Sequence, residues 1–183
     1  MANKHWPQLT SNVKHMKKRS KTFGKIPGPK DWEGYEKDLD VRYAHKLFFG
    51  KSVPEVMEHF SVGGRCIERA SELLFMPRKA FQYYVQAFAE YIKSEKAAGD
   101  SDAASPFLRL LLNREERDPG SVMEIYGKLS DTVDFVASHQ DYFDAPRDIY
   151  GSFQELGDKI RAAYKSYMEK LNNGLQRIAR GSR

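Results

Sequence analysis

The sequence contains one cysteine, Cys66, and no long apolar run. A single thiol excludes an intramolecular disulfide framework and a cysteine-rich zinc module. No window approaches the roughly 18 uncharged apolar residues of a membrane span, and the N-terminus lacks the apolar core of a signal peptide. We therefore expect a globular cytoplasmic protein with no membrane contact.

The charge is unevenly divided along the chain. Residues 1–31 contain eight Lys or Arg and one acid, whereas residues 32–183 contain 22 basic and 24 acidic residues. The first segment is also poor in apolar residues, so it buries too little surface to compensate the entropy of ordering. We expect residues 1–30 to form a flexible, disordered basic arm, residues 31–173 a helical domain, and residues 174–183 a basic C-terminal tail.

Apolar residues in the domain recur every three or four positions, which is the spacing of one helix face. The clearest runs include Trp32, Tyr35, Leu39, Tyr43 and Leu47 at the start of the domain. Residues 73–76 alone resemble a buried strand, but no second β-rich run exists to pair with them. The pattern therefore predicts an all-α fold, either a single helical bundle or an orthogonal helical array, with five to six helices.

Cap and turn residues predict where several helices begin. Ser52–Glu55 and Ser121–Glu124 each have the Ser-x-x-Glu pattern of a capping box. Ser105-Pro106 is expected to open a central helix that is apolar almost all round. Asp100–Asp102 resembles the start of a cation loop, but the rest of such a loop does not follow, so helix capping is the better interpretation.

The last helix is expected to begin after Asp144–Pro146 and to end at Asn173-Gly174. Its apolar residues follow a nearly heptad spacing from Ile149 to Leu171. Gly151 and Gly157 lie inside it, and each costs about 0.5–1 kcal/mol relative to alanine. A kink or a closely packed neighbour is therefore expected at these glycines.

Catalytic and cofactor motifs are absent from the sequence. It has no phosphate-binding Gly-x-x-x-x-Gly-Lys, no dinucleotide-binding glycine pattern after a strand, and no His-Glu-x-x-His zinc helix. Glu55 and His59 share one helix face and form either an acid–base couple or an ordinary exposed pair. Cys66, near Arg65 and Arg69, is either an activated thiolate or a small buried residue. We predict no catalytic residue, metal site or cofactor.

The strongest positive feature is a cationic cluster in the N-terminal arm. Five full charges lie within positions 14–21, and two aromatic residues flank them. Such an arm contacts phosphates without a shaped site, and its rings stack on unpaired bases. The alternatives are a solubilising tail or a segment that binds an acidic protein. The expected contact residues are Lys14, Lys17, Lys18, Arg19, Lys21, Trp6 and Phe23.

Neighbouring aromatic residues predict a protein interface. The sequence has 10 Tyr and 11 Phe, and several adjacent pairs cannot all point into one core. Aromatic residues at the surface are favoured interface anchors. Tyr142-Phe143 lies in a turn before Pro146, and we expect these two rings to contact a partner protein.

Two segments resemble small bacterial helical proteins of uncharacterised function. These are Phe75–Tyr84 (FMPRKAFQYY), followed by Tyr91-Ile92, and Ala97–Asp102 (AAGDSD). The resemblance covers about 30 of the 183 residues and does not include the basic arm. It implies a helical fold and a bacterial cytoplasmic origin, and it supplies no site residues.

The function expected from these features is non-enzymatic binding of another protein or protein complex through an aromatic helical surface and the cationic arm. The first alternative is a nucleic-acid-associated protein, of RNA or DNA, anchored by the arm. The second alternative is a hydrolase whose site is assembled from scattered acids and His59.

Overall fold

The computed structural model describes residues 23–61 and 65–181, with side chains as far as residue 177. Over these ranges the chain forms α-helices and short 3₁₀ turns without a β-strand, which confirms the all-α prediction. The described residues contain eight α-helices rather than five to six, partly because a break divides the last expected helix. The α-helices are α1 (Leu39–Phe48), α2 (Val53–Phe60), α3 (Cys66–Phe75), α4 (Arg78–Ile92), α5 (Ser101–Arg117), α6 (Tyr126–Ser138), α7 (Arg147–Tyr150) and α8 (Phe153–Gly181).

The centre of the fold is α4. Twelve of its 15 residues are buried, and it contacts α2, α3, α5 and α6. The Phe88 ring stacks on Phe60 with centroids 4.5 Å apart and meets Phe107 of α5 edge-on at 5.4 Å. The central position expected for α5 is also observed, since it contacts α3, α4, α6 and α8. The other helices therefore pack around the pair α4 and α5.

The packed part of the chain begins earlier than expected. Phe23 and Ile26 are half-buried against the core, and Pro27 is buried. The side-chain amide of Gln86 donates to the carbonyl oxygen of Phe23 at 3.4 Å. These contacts place part of residues 23–30 against the helical core, and the flexibility expected of the arm stays a prediction. The expected arm residues 1–22 lie outside the described residues.

The first expected helix is divided by short turns. Residues Pro29–Trp32 and Tyr35–Lys37 form 3₁₀ turns, and Gly34 between them has a φ of +86°. The Asp38 carboxylate then accepts from the backbone N–H groups of the first turn of α1, at 2.8 Å and 3.2 Å. α1 packs with the face of Ala44 and Phe48 buried, whereas Leu39 and Tyr43 are exposed. The expected apolar stripe is therefore wrong.

The helix starts show which capping predictions were sound. The capping box Ser52–Glu55 is confirmed, with the Ser52 N–H donating to Glu55 Oε2 at 2.8 Å. α5 begins at Ser101 rather than at Ser105-Pro106, because Asp100 Oδ1 accepts from the Ala103 N–H at 3.1 Å. The expected box at Ser121–Glu124 is absent. There the Glu115 carboxylate accepts from the Gly120, Val122 and Met123 N–H groups.

The C-terminal segment differs from the single expected helix. Gly151, with a φ of +76°, separates α7 from α8 and accounts for the expected break. Gly157 has the close neighbour that its position predicted, since a Cβ there would lie 2.6 Å from Ala137 Cβ of α6. The expected end at Asn173-Gly174 is wrong, because α8 continues to Gly181. Neither α8 nor another helix within the described ranges has the length and apolar character needed to span a membrane.

Candidate functional site

Most of the predicted nucleic-acid contacts cannot be located. Lys14, Lys17, Lys18, Arg19, Lys21 and Trp6 lie outside the described residues. Phe23 is described, and its ring packs against the core. A contact of this half-buried ring with nucleic acid stays a prediction.

The predicted protein interface at the turn Gln140–Phe143 is only partly at the surface. Phe143 is completely buried, with its ring 5.7 Å from Phe135 and 5.0 Å from Tyr142. Its expected surface position is wrong, because the 3₁₀ turn directs the two neighbouring side chains in different directions. Tyr142 is half-buried, and burial raises the pKa of its phenol. A contact of Tyr142 with a partner stays a prediction.

Glu55 and His59 do not form an acid–base couple. The Glu55 carboxylate accepts from the N–H and hydroxyl of Ser52, which lowers its pKa. His59 Nε2 lies 3.1 Å from Lys51 Nζ. Burial, and then the positive charges of Lys51 and Arg69, lower the pKa of His59. These contacts account for both side chains structurally, and the hydrolase alternative stays a prediction.

Cys66 is a buried core residue rather than an activated thiolate. Its side chain is completely buried at the start of α3. Burial raises the pKa of this thiol to about 12, and the nearby Asp100 carboxylate contributes in the same direction. In the part of the chain that the structure describes, no three His, Cys, Asp or Glu residues lie together as a metal site requires.

A cluster of charged side chains that the sequence analysis missed joins α4 and α5 to the turn after α5. Asp118 pairs with Arg78 and accepts from Arg114 at 2.8 Å. Arg114 is 3% exposed and donates to the carbonyl oxygens of Leu74 and Met76 at 2.7 Å and 2.8 Å. Such charges are buried because they are paired and hydrogen-bonded. The cluster is structural, and the only sequence signal for it was the four-residue spacing of Arg114 and Asp118.

The most conspicuous open surface is the second half of α8. All residues at positions 168–177 are exposed, although they belong to one continuous helix. Three of them are large apolar residues, with exposed fractions of 38%, 43% and 65%. We name these residues, Met168, Leu171 and Leu175, the distal stripe.

The distal stripe continues the face by which α8 is attached to the body. Nearer the start of α8, Phe153 and Ile160 are fully buried, and the Tyr164 ring lies 4.4 Å from that of Tyr126 in α6. From Tyr164 onward the apolar residues follow steps of four, three and four, which is the seam of a coiled coil. The heptad-like spacing expected from the sequence ended at Leu171 and did not include Met168 or Leu175.

The ends of the chain carry the positive charge. Residues 165–183 contain five basic residues and one acid, whereas residues 32–164 contain 17 basic and 23 acidic residues. The distal stripe therefore lies on a cationic helix that extends from an acidic body.

Comparison of the chain with protein-family models, with curated proteins and with solved structures gives no match. The resemblance to small bacterial helical proteins stays an expectation. The function must therefore be argued from the residues of this chain.

Proposed function

We propose that this protein is a non-enzymatic binding protein that engages a helix of another protein through the distal stripe. The observation that carries the proposal is the exposure of Met168, Leu171 and Leu175 at heptad spacing in the segment 168–177, whose other residues are polar or glycine. An apolar seam of this width accommodates one helix, whose own a and d residues pack between its side chains. A cytoplasmic location, and kinship with small bacterial helical proteins, belong to the same proposal.

The partner helix is expected to be acidic. The segment 165–183 has a net charge of +4, so it attracts an acidic helix and repels a second copy of itself. Each fully covered Leu or Met contributes at most about 1.5–3 kcal/mol, and these side chains are already partly covered. Contacts of this size favour a transient complex of micromolar or weaker affinity.

A nucleic-acid role for the arm remains the second candidate. It is favoured by the five charges at positions 14–21, which could neutralise about five phosphates and give a steep salt dependence. An apolar stripe contributes nothing to phosphate contacts, so this candidate leaves the exposed face of α8 unexplained. Neutralising Lys17, Lys18 and Arg19 to glutamine should flatten the salt dependence of RNA binding if the arm carries it.

The test of the protein-binding proposal uses a defined probe. A synthetic peptide of three heptads, with Leu at a and d and Glu at e and g, offers an acidic helical seam whose own repulsion disfavours self-association. Its binding to the full chain is measured by calorimetry, together with that of the Lys-substituted peptide. The Glu peptide should bind at least about tenfold more tightly than the Lys peptide, and raised salt should narrow the difference.

Matched variants locate the binding surface. Leu171→Asp with Leu175→Asp should weaken binding by about tenfold or more, because two carboxylates then occupy the seam. Leu39→Asp with Ile149→Asp is the control, since these apolar residues are 73% and 71% exposed elsewhere. The proposal is wrong if both double variants behave alike. The proposal is also wrong if Leu171→Asp with Leu175→Asp leaves the peptide affinity unchanged and abolishes a different interaction. That interaction would be self-association, measured by sedimentation, or binding to phosphatidylserine vesicles.

A further inference from the structure

A stack of three rings lies at the start of the helical body, away from the distal stripe. The His45 ring stacks on those of Tyr35 and Phe49, with centroid distances of 3.7 Å and 4.4 Å and interplanar angles of 11° and 24°. Two rings fit at these distances only on opposite faces of the imidazole, so His45 lies between them. The Trp32 ring meets His45 edge-on, with centroids 5.1 Å apart. Four rings from a short stretch of chain therefore form one aromatic cluster.

This cluster lines a surface groove of about 540 Å³, a size typical of ligand sites. The groove lies between the segment from Pro29 to Glu36 and the His45 and Phe49 side chains of α1 and its C-terminal end. Phe49 is 38% exposed and Tyr35 is half-buried, so ring surface is accessible from solvent. Exposed ring faces attract cations because the face of an aromatic ring carries partial negative charge.

The surroundings of the groove are acidic. Residues 31–40 contain five carboxylates and one lysine. Two of these carboxylates, Glu33 and Glu36, are exposed and line the groove, together with Lys30. Burial lowers the pKa of His45, while the Glu36 carboxylate acts in the opposite direction. The imidazole is therefore mostly neutral near pH 7 and adds little positive charge to the groove.

Trp32 also lacks a hydrogen-bond acceptor. Its side chain is completely buried in the wall of the groove, and its indole N–H has no partner within the described ranges. Buried donors are normally paired. The indole nitrogen is itself buried, so this donor does not distinguish between ligands of the groove.

We propose that this groove binds an arginine-containing peptide segment of a partner protein. The guanidinium packs on the accessible ring surface of Tyr35 or Phe49, and its N–H groups donate to Glu33 or Glu36. Arginine fits better than lysine because its planar group stacks on rings and pairs with carboxylates at the same time. A nucleic acid would be repelled by the two carboxylates. This site and the distal stripe lie on different elements and attract opposite charges, so neither proposal depends on the other.

The test uses intrinsic fluorescence of the full chain. The sequence has two tryptophans, Trp6 and Trp32, so Trp6→Phe leaves a single fluorophore in the wall of the groove. This protein is titrated with a short acetylated peptide Gly-Arg-Gly and with the same peptide containing citrulline, which has nearly the shape of arginine without its charge. The arginine peptide should shift the Trp32 emission and bind about five- to tenfold more tightly than the citrulline peptide.

Variants in the same background test the two parts of the site. Phe49→Ala should weaken binding about tenfold and Phe49→Tyr should retain it, because only the first removes the ring. Tyr43→Ala is the control, since Tyr43 is 52% exposed on the same helix but does not line the groove. Glu36→Gln should weaken binding severalfold more than Asp40→Asn, because Asp40 is not a lining residue. Circular dichroism confirms that each variant is folded.

Three results would overturn the proposal. The first is equal affinity for the arginine and citrulline peptides, which would mean that the groove does not recognise the cation. The second is equal affinity of Phe49→Ala and Tyr43→Ala. The third is peptide binding that is absent in the unmodified chain and appears only after Lys17, Lys18 and Arg19 are replaced by glutamine. That result would mean that the cationic segment of the unmodified chain itself occupies the groove.

Discussion

The packing that fixes the direction of α8 can be tested by adding one methyl group at Gly157. A Cβ at this position would lie 2.6 Å from Ala137 Cβ, whereas carbon atoms in good contact are about 3.5–4.0 Å apart. α6 and α8 would have to separate by about 1 Å, and such overpacking typically costs 1–3 kcal/mol. The higher helix propensity of alanine returns about 0.8–1.0 kcal/mol. We therefore expect Gly157→Ala to lower the free energy of unfolding by about 1 kcal/mol.

Gly174→Ala supplies the matched control on the same helix. No atom lies within 4 Å of the place that its Cβ would occupy, so only the propensity term applies, and the protein should gain about 0.5–1 kcal/mol. The two variants should therefore differ by about 2 kcal/mol in urea unfolding, or by roughly 4–8 °C in Tm for a chain of this size. The double variant Gly157→Ala with Ala137→Gly should be at least about 1 kcal/mol more stable than the sum of the two single-variant effects predicts, because the smaller residue at 137 makes room for the new methyl group. Equal stabilisation by Gly157→Ala and Gly174→Ala would refute the close approach of α6 and α8.

Two further predictions concern buried groups of α3. Burial raises the pKa of Glu72 to about 7, despite the nearby Arg69. As pH rises from 4.5 to 7, the unfolded chain therefore loses this proton before the folded chain does, and the free energy of unfolding falls. The unfolding free energy of Glu72→Gln relative to the unmodified protein should rise by up to about 3 kcal/mol across this window; a constant difference would contradict the assignment. Cys66, with its pKa raised to about 12, should resist a thiol reagent at pH 8 until urea unfolds the chain, and rapid labelling of the native protein would contradict its burial.

The class of the fold was predictable because it depends on a repeated pattern. Three- and four-residue apolar spacing runs through most of the domain, and no single misplaced residue alters that signal. Local chemistry also predicted the capping box at Ser52 and the close neighbour of Gly157. Both predictions depended on one residue and its immediate neighbours. Ser52 caps the helix that follows it, and Gly157 has no side chain where α6 approaches α8 closely.

The predicted helix starts were wrong where two possible capping residues lie close together in the sequence. Asp38 caps α1, and Asp100 caps α5 ahead of Ser105-Pro106. The Asp100 cap agrees with the capping expected at Asp100–Asp102, whereas the expected start at Ser105-Pro106 is wrong. The sequence offers several cap formers within a few residues, and tertiary packing determines which of them is used.

The candidate surfaces were harder to predict because exposure depends on the neighbours that tertiary structure supplies. Phe143 and Tyr142 are adjacent in sequence, yet one is fully buried and the other is half-buried. The ring stack around His45 joins two segments that the sequence analysis had treated as one helix. Of the distal stripe only Leu171 belonged to the expected heptad-like spacing, and the exposure of Met168, Leu171 and Leu175 is known from the structure alone.

The most direct test of the proposed binding surface is amide hydrogen exchange of the full chain with and without the Glu-flanked heptad peptide. Residues 168–177 are all exposed, so their amides should exchange rapidly in the protein alone. Added peptide should slow exchange in this segment by about tenfold or more, and Leu171→Asp with Leu175→Asp should abolish that protection. Unchanged exchange in residues 168–177 under saturating peptide, or protection confined to another helix, would contradict the account.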